Sequence, residues 1–507
     1  MSTPYDENLI WIVAIGFIVA FILAAGIGAN DVANSFGTSV GAGVLTIHQA
    51  CVLATIFEVL GAVLIGYKVS DTMRKGILDV SLYEGHEKEL MLGALSSLAG
   101  SGIWLLLATA LRLPISGTHS IVGATVGFSL VCRGTAGVKW MALANIAASW
   151  VASPILSGIV SVSIFGILSK FVLQSNKPFE QGLRILPVAY GITVAVNIMS
   201  VLLDGPKLLM LDQLPWWGSL IAAMLLGMFA TVTVYIFVVP WQRARILLSS
   251  NGVDSSNKTT VHFDTYQDKK ETTALSVISE TPCGGSSSNG NAKPELTVTT
   301  PKLRGNSSES PLLMITQIEA ENAQADGVTA MNREEQPEVS RLFAFLQVLT
   351  AAFGSFAHGG NDVSNAIGPL IALWAVYVEG SARQEAETPI YILLYGGLGI
   401  STGLWLWGRR VIRTLGQDLA RITPTTGFTI EVGAASTVLL ASKIGLPVST
   451  THCKVGSVVC VGWASRGGEG VSWKLFRNIV CAWVITVPMA GCLSAGCMAI
   501  FREIISL

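Results

Sequence analysis

The chain has 507 residues, 51% of them apolar and only 13% Asp, Glu, Lys or Arg, about half the charged share of an ordinary globular domain. A net charge of −1 says nothing in favour of a nucleic-acid partner. The 52 glycines and positive mean hydropathy suit a chain whose solvent is lipid, where small residues let helices approach closely.

A spanning helix needs roughly 20 predominantly apolar residues. Leu9 to Gly28 meets that. Asp6 and Glu7 stand where a signal peptide would carry basic residues, so the segment is read as a retained span. Further candidates follow at Thr46–Gly66, Leu90–Leu111, Trp140–Leu173, Leu183–Leu203 and Trp216–Val239. From Gln242 to Arg341 the chain turns polar, with low-complexity pieces such as Gly284-Gly-Ser-Ser-Ser-Asn-Gly290, and reads as a disordered linker. Apolar runs resume at Leu342–Ala357, Pro389–Gly408, Gly427–Leu446 and Phe476–Ile500. The division is therefore a membrane half at 1–241, a linker at 242–341 and a second membrane half at 342–507. Eight cysteines contain no C-x-x-C pair and read as small packing residues, with Cys283 a free thiol in the linker.

The halves are copies. Leu113-Pro-Ile-Ser-Gly-Thr-His119 matches Leu446-Pro-Val-Ser-Thr-Thr-His452, and 447 − 114 gives an offset of 333 that also carries Gly123 to Gly456, Arg133 to Arg466 and Trp140 to Trp473. Asn30-Asp31-Val32-Ala33-Asn34 matches Asn361-Asp362-Val363-Ser364-Asn365 at an offset of 331. Duplicated halves in a polytopic membrane chain point to a transporter with a site between the repeats. The fold class expected is all-α integral membrane, two related halves that form one shared site if they are inverted, each with a short hairpin that enters the membrane without crossing. Arg243 and Arg245 directly follow a span, which places the linker in the cytoplasm and the termini outside; Lys68, Arg74, Lys75 and Lys88 between two other spans weaken that bias.

Two constellations carry chemistry. Asn30, Asp31 and Asn34, with Asn361, Asp362 and Asn365, each end an apolar run rich in glycine. Carboxylates at membrane depth usually mark an ion path, and a glycine-permitted break would add carbonyl oxygens around a hard cation such as sodium. The plainer reading is a capping turn at the membrane surface, which the duplication disfavours. Ser116, Gly117 and Thr118, with Ser449, Thr450 and Thr451, each open a helix after proline. Two such N-termini meeting at the midplane would cradle an oxyanion with few full charges. Glu58 and Glu431, isolated in apolar runs, are expected to face the interior and to bind a cation or proton or pair with a base. His119 and His452 read equally as titrating groups or as packing residues. Lys454 reads equally as charge near the anion or as a snorkelling lysine. The sequons at Asn257 and Asn306 have no use in a cytoplasmic linker.

On Gly28-Ala-Asn-Asp-Val-Ala-Asn34, Gly359-Gly-Asn-Asp-Val-Ser-Asn365 and the two Pro-x-Ser blocks, the chain resembles the inorganic phosphate transporter (PiT) family, particularly its animal sodium–phosphate symporters. The resemblance covers roughly 5–241 and 341–505. It implies an inverted-repeat transporter of about 10–12 spanning helices plus two re-entrant helical hairpins, carrying phosphate with sodium by alternating access at the plasma membrane. Phosphate would lie at Ser116, Gly117, Thr118, Ser449, Thr450 and Thr451 with Asn30 and Asn361. Sodium would lie at Asp31, Asp362, Asn34, Asn365, Glu58 and Glu431. Ser364 replaces an alanine common in that motif, and Asp79-Val-Ser81 stands where the family has an extracellular sequon.

No cofactor is expected beyond sodium as co-substrate. The expected partners are phosphate, sodium, the lipid bilayer and, as an assembly, a homodimer. Proton coupling and sulfate stay open on spacing alone. An intramembrane aspartyl protease is disfavoured because Asp31 and Asp362 each follow Asn. A phosphate sensor would need the same site without turnover.

Overall fold

In a hydrocarbon solvent a backbone without strand partners must satisfy its own amides, so long apolar runs become helices. In a computed structural model the chain is described at residues 7–31, 33–111, 113–203, 210–251, 335–408, 418–466 and 470–505. Most of the linker, with Cys283, the Gly284–Gly290 run and both sequons, lies outside those residues. The first half contains α1 (Ile10–Asp31), α2 (Ala33–Gly41), α3 (Ile47–Ile65), α4 (Tyr67–Asp71), α5 (Glu87–Ala110), α6 (Gly117–Arg133), α7 (Trp140–Leu168), α8 (Pro178–Leu202), α9 (Trp216–Thr233) and α10 (Val239–Asn251). The second contains α11 (Pro337–His358), α12 (Ser364–Glu379), α13 (Ile390–Trp407), α14 (Pro424–Lys443), α15 (Thr450–Arg466) and α16 (Trp473–Ile505). Among the described residues, nine helical runs are long and apolar enough to cross a membrane. The outer helix α9 turns Leu225 (61% exposed) and Phe229 (70% exposed) outward, a surface suited to lipid rather than water.

Within the segment read as a linker, α10 continues helical through Asn251 and α11 begins at Pro337. Pro337 stands in the first turn, where its missing N–H costs nothing.

The duplication is visible in the elements. An offset of 333 carries α6 onto α15 end to end and the start of α7 onto that of α16. A different offset governs α3 and α13. Glu58 and Gly61 occupy the places of Ile400 and Gly403, 342 positions apart, because each pair makes the same helix crossing. On α1 a Cβ added to Gly28 would stand 1.8 Å from the Ile400 carbonyl oxygen, and one on Gly403 would stand 1.7 Å from that of Ala25. In the other copy a Cβ on Gly359 would stand 2.1 Å from the Glu58 oxygen, and one on Gly61 1.9 Å from that of Phe356. Helix α1 of the first half thus packs on α13 of the second, and α11 of the second on α3 of the first. The same exchange recurs at α6 on α16 and α15 on α7, where Gly123 meets the Val487 carbonyl and Gly456 that of Pro154. Each half completes the other.

Helices α5 and α6 pack together as a hairpin whose tip includes 113–116, and α14 and α15 form its copy with a tip at 444–449. The far end of α6 is fastened by Arg133, which pairs with Glu89 at 2.7 Å and lies 4.8 Å over the Tyr83 ring. Burial pushes the Tyr83 phenol up to about 12, so it stays a neutral donor to Ser129 Oγ.

The crossings generate a stability prediction. Gly403→Ala must force α1 and α13 apart, a backbone clash expected to cost about 3 kcal/mol or more. Gly166→Ala, with open space at its Cβ position, should be neutral or slightly stabilising. Thermal unfolding of the two purified variants in detergent measures the difference.

Candidate functional site

The Asn-Asp motifs do not sit in loops. In the second half, helix α11 passes through Gly359–Val363 as one π-helical turn and continues as α12. The expected break is therefore a widened turn, the form single insertions take at functional sites. Gly359 allows it by lying against the Glu58 carbonyl. In the first half the motif joins α1 to α2. Asn30, Asp31, Asn361 and Asp362 are each at most 1% exposed, which excludes a capping turn at the surface.

Each motif meets a hairpin tip. Asn30 Nδ2 donates to Thr109 Oγ1 (3.0 Å) and to the Leu113 carbonyl (2.9 Å), while its Oδ1 accepts from Ile115 N (3.1 Å). Asn361 Nδ2 donates to the Val448 carbonyl at 2.9 Å. Asn30 is therefore fully engaged in holding its own hairpin. Between the halves the bonds are reciprocal. Asn34 Nδ2 donates to Thr451 Oγ1 (2.9 Å), and Asn365 Nδ2 to Thr118 Oγ1 (2.7 Å). Thr451 Oγ1 also reaches the Ile115 carbonyl (3.2 Å), and Thr118 Oγ1 that of Val448 (3.0 Å).

The carboxylates take the remaining donors. Asp31 Oδ2 accepts from Gly117 N at 3.1 Å, and its Oδ1 lies 3.4 Å from Thr451 Oγ1. Asp362 Oδ2 accepts from Thr450 Oγ1 at 2.7 Å, and its Oδ1 from Asn365 Nδ2 at 2.9 Å. Adjacent residues on one helix start, Thr450 and Thr451, thus touch one aspartate from each half. Ser116 and Ser449 cap their helices, accepting from His119 N (3.2 Å) and His452 N (3.1 Å). The side-chain carbonyl oxygens of Asn34, Asn361 and Asn365 are buried without a hydrogen-bond donor. Acceptor-only oxygens beside two carboxylates are what a hard monovalent cation can use.

The two glutamates are drawn in through partners. Glu58 accepts from Ser355 Oγ at 2.9 Å and lies 2.7 Å from His358 Nδ1, whose Nε2 stands 3.1 Å from Asp362 Oδ2. Glu431 pairs with Lys454 Nζ at 2.7 Å and accepts from Thr38 Oγ1. A small cavity of about 20 Å³ lies beside this pair, room for a water molecule. Sequence reasoning passed over His358, Thr38 and Ser355. His358 was findable, standing four residues before Asp362 and so on the same helix face; Thr38 and Ser355 carry no local signal. His119 and His452 lie ring to ring, 4.4 Å apart, each against a tryptophan, Trp150 at 3.8 Å and Trp483 at 3.7 Å. They pack where the halves meet and make no contact with the aspartates.

Known proteins are similar to this chain over nearly all of its length. The profile of a family described as "Phosphate transporter family" matches residues 27–494. A protein of Danio rerio named sodium-dependent phosphate transporter 1-A is 42% identical, over 98% of this chain and 96% of its own length. Sodium-dependent phosphate transporter 2 of Xenopus tropicalis is 41% identical, over 97% of this chain and 98% of its own. The Mus musculus protein named sodium-dependent phosphate transporter 1 is 38% identical, over 99% and 97%. A solved structure described as a sodium-dependent phosphate transporter is 32% identical, covers 97% of this chain and 100% of its own, and superposes with a TM-score of 0.73.

The reciprocal bonds can be tested by their symmetry. Thr118→Val and Thr451→Val each remove one acceptor from a buried asparagine amide, a loss of about 1–3 kcal/mol. Thermal unfolding of the purified variants should show two destabilisations of similar size.

Proposed function

The chain belongs to the phosphate transporter family and is a sodium-coupled phosphate symporter, and from that premise we propose that phosphate binds between the two hairpin tips and sodium at the paired Asn-Asp motifs. The observation that carries this reading is that Asp31 and Asp362 occupy the very donors an oxyanion would use, Gly117 N and the hydroxyls of Thr450 and Thr451. Phosphate entering between the tips takes those donors. The freed carboxylate oxygens, with the unengaged carbonyl oxygens of Asn34, Asn361 and Asn365, then hold sodium. Ser116, Ser449 and Thr118 complete the cradle through hydroxyl hydrogens, while Asn30 holds the first tip in place.

Four carboxylates, Asp31, Asp362, Glu58 and Glu431, are each at most 1% exposed, and beside them stand Lys454 and His358. Buried charge without compensation is strongly unfavourable, so the cluster demands cations before it is comfortable. That requirement links the two substrates: the anion releases carboxylates, and the carboxylates recruit sodium. Each sodium entering down a potential gains about 2.3 kcal/mol per 100 mV, which offsets the cost of moving an anion inward.

Residues 1–241 and 342–507 are read as inverted halves that rock about this shared centre, with re-entrant hairpins. The linker faces the cytoplasm, the termini lie outside, and the membrane is the plasma membrane. The exchanged packing of α1, α3, α11 and α13 and of α6, α7, α15 and α16 supports a pair of bodies related by a pseudo-twofold axis.

Uptake of radiolabelled phosphate into proteoliposomes tests the reading. Replacing external sodium by choline should abolish uptake, and excess sulfate should not compete. Asp31→Asn and Asp362→Asn should each reduce sodium-driven uptake to that of protein-free liposomes; full activity in both would refute the assignment of the site.

A further inference from the structure

The scaffold of the site is symmetric and its charge is not. At the positions matching Lys454 and Glu431 the first half carries Ile121 and Leu98, so one copy alone holds a buried lysine–glutamate pair. Lys454 is 2% exposed and Glu431 1%. A buried pair of this kind is weak evidence of a stabilising role, because apolar residues of similar volume often serve as well. Its placement suggests another use.

Lys454 follows Thr450 by one helical turn and so lies on the face of α15 that carries that hydroxyl. Side chains on a helix lean toward its N-terminus. The ammonium lies 2.7 Å from Glu431, and one turn away at the helix start Thr450 holds Asp362. The cavity beside the pair is lined by Asn34, Ser35, His358, Thr450 and Lys454 among others, which joins the pair to the tip by open space. Lysine has a flexible four-carbon stem and three rotatable donors, so it can exchange one anion for another by rotating its side chain while the backbone stays still.

We infer that Lys454 is an exchangeable counter-ion, neutralising Glu431 while the site is empty and turning to the oxyanion when phosphate enters. The inference rests on the hairpin-tip reading of the phosphate site. When the ammonium leaves, Glu431 and the Thr38 hydroxyl that serves it remain in a dry environment, where the carboxylate recruits a sodium ion. Anion binding thereby creates a cation site, and by reciprocity sodium at Glu431 releases Lys454 and strengthens phosphate binding. Lys454 is a further substrate-binding residue, and Glu431 is occupied in turn by an internal and an external cation.

A double-mutant cycle on the full-length purified protein separates this from a counter-ion that never moves. The measurement is the dissociation constant of radiolabelled inorganic phosphate at saturating sodium, which requires no turnover. In Glu431→Gln the lysine has no charge left to neutralise. Adding Lys454→Met to that variant should weaken phosphate binding about tenfold or more, the loss expected of one buried charge-assisted hydrogen bond. Lys454→Arg in the same background should retain binding. If Glu431→Gln and Glu431→Gln/Lys454→Met bind phosphate equally, Lys454 serves Glu431 alone and the inference is overturned. The variant Thr118→Ala/Thr451→Ala separates the two levels. Weakened binding there with no effect of Lys454 overturns the exchange only, whereas unchanged binding there overturns the hairpin-tip site itself.

Discussion

The structure depends on the difficulty of keeping carboxylates out of water. Asp31 and Asp362 lie inside a bundle whose solvent is hydrocarbon, and each is held by donors it does not own: the Gly117 amide and the hydroxyls of Thr450 and Thr451. The Gly117 amide is free to donate because the first N–H groups of a helix have no partner within it, and Thr450 and Thr451 stand in the first turn of α15. Both aspartates thus draw on the start of another helix beside them. Helical hairpins are the means of bringing a helix start into the interior. The proline within each tip, Pro114 and Pro447, and the serine caps follow from that need.

Because the two copies face each other, the solution is shared between them. Asn34 reaches Thr451 and Asn365 reaches Thr118, so neither half closes its own site. The helix crossings obey the same rule. Close approach at Gly28, Gly403, Gly61 and Gly359 sets α1 against α13 and α3 against α11, and it is this approach that brings Glu58 within 2.7 Å of His358. A site built at such a boundary is exposed to any relative movement of the halves, which alternating access requires.

Laid over the symmetric frame is an unsymmetrical set of charges. His358 stands where the first half has Ile27, Glu58 where the second has Ile400, and Lys454 and Glu431 where the first has Ile121 and Leu98. The frame supplies hydroxyls and side-chain amides in matched pairs, Thr118 with Asn365 and Thr451 with Asn34. The added charges make one half different from the other, and in the proposed reading they tie cation binding to anion binding.

Periodicity and duplication were legible from the residues because both are local. Apolar runs of spanning length became helices, and the offset of 333 found in a motif turned out to carry a whole helix, α6, onto α15. The hairpin starts were legible for the same reason, since Pro-x-Ser-x-Thr specifies a capped first turn. The matching of Glu58 to Ile400 was hidden, because the connections between α2 and α3 and between α12 and α13 differ in length and only the shared crossing restores the register. The partners of the glutamates were hidden too. Lys454 was visible as an unassigned charge, yet its contact with Glu431 spans a turn of the chain that no spacing rule connects. Sequence alone determined which groups would be buried and which helix starts would face inward. Only the tertiary structure decided which donor serves which carboxylate, because no spacing rule joins Gly117 to Asp31 within one half or Ser355 to Glu58 across the two.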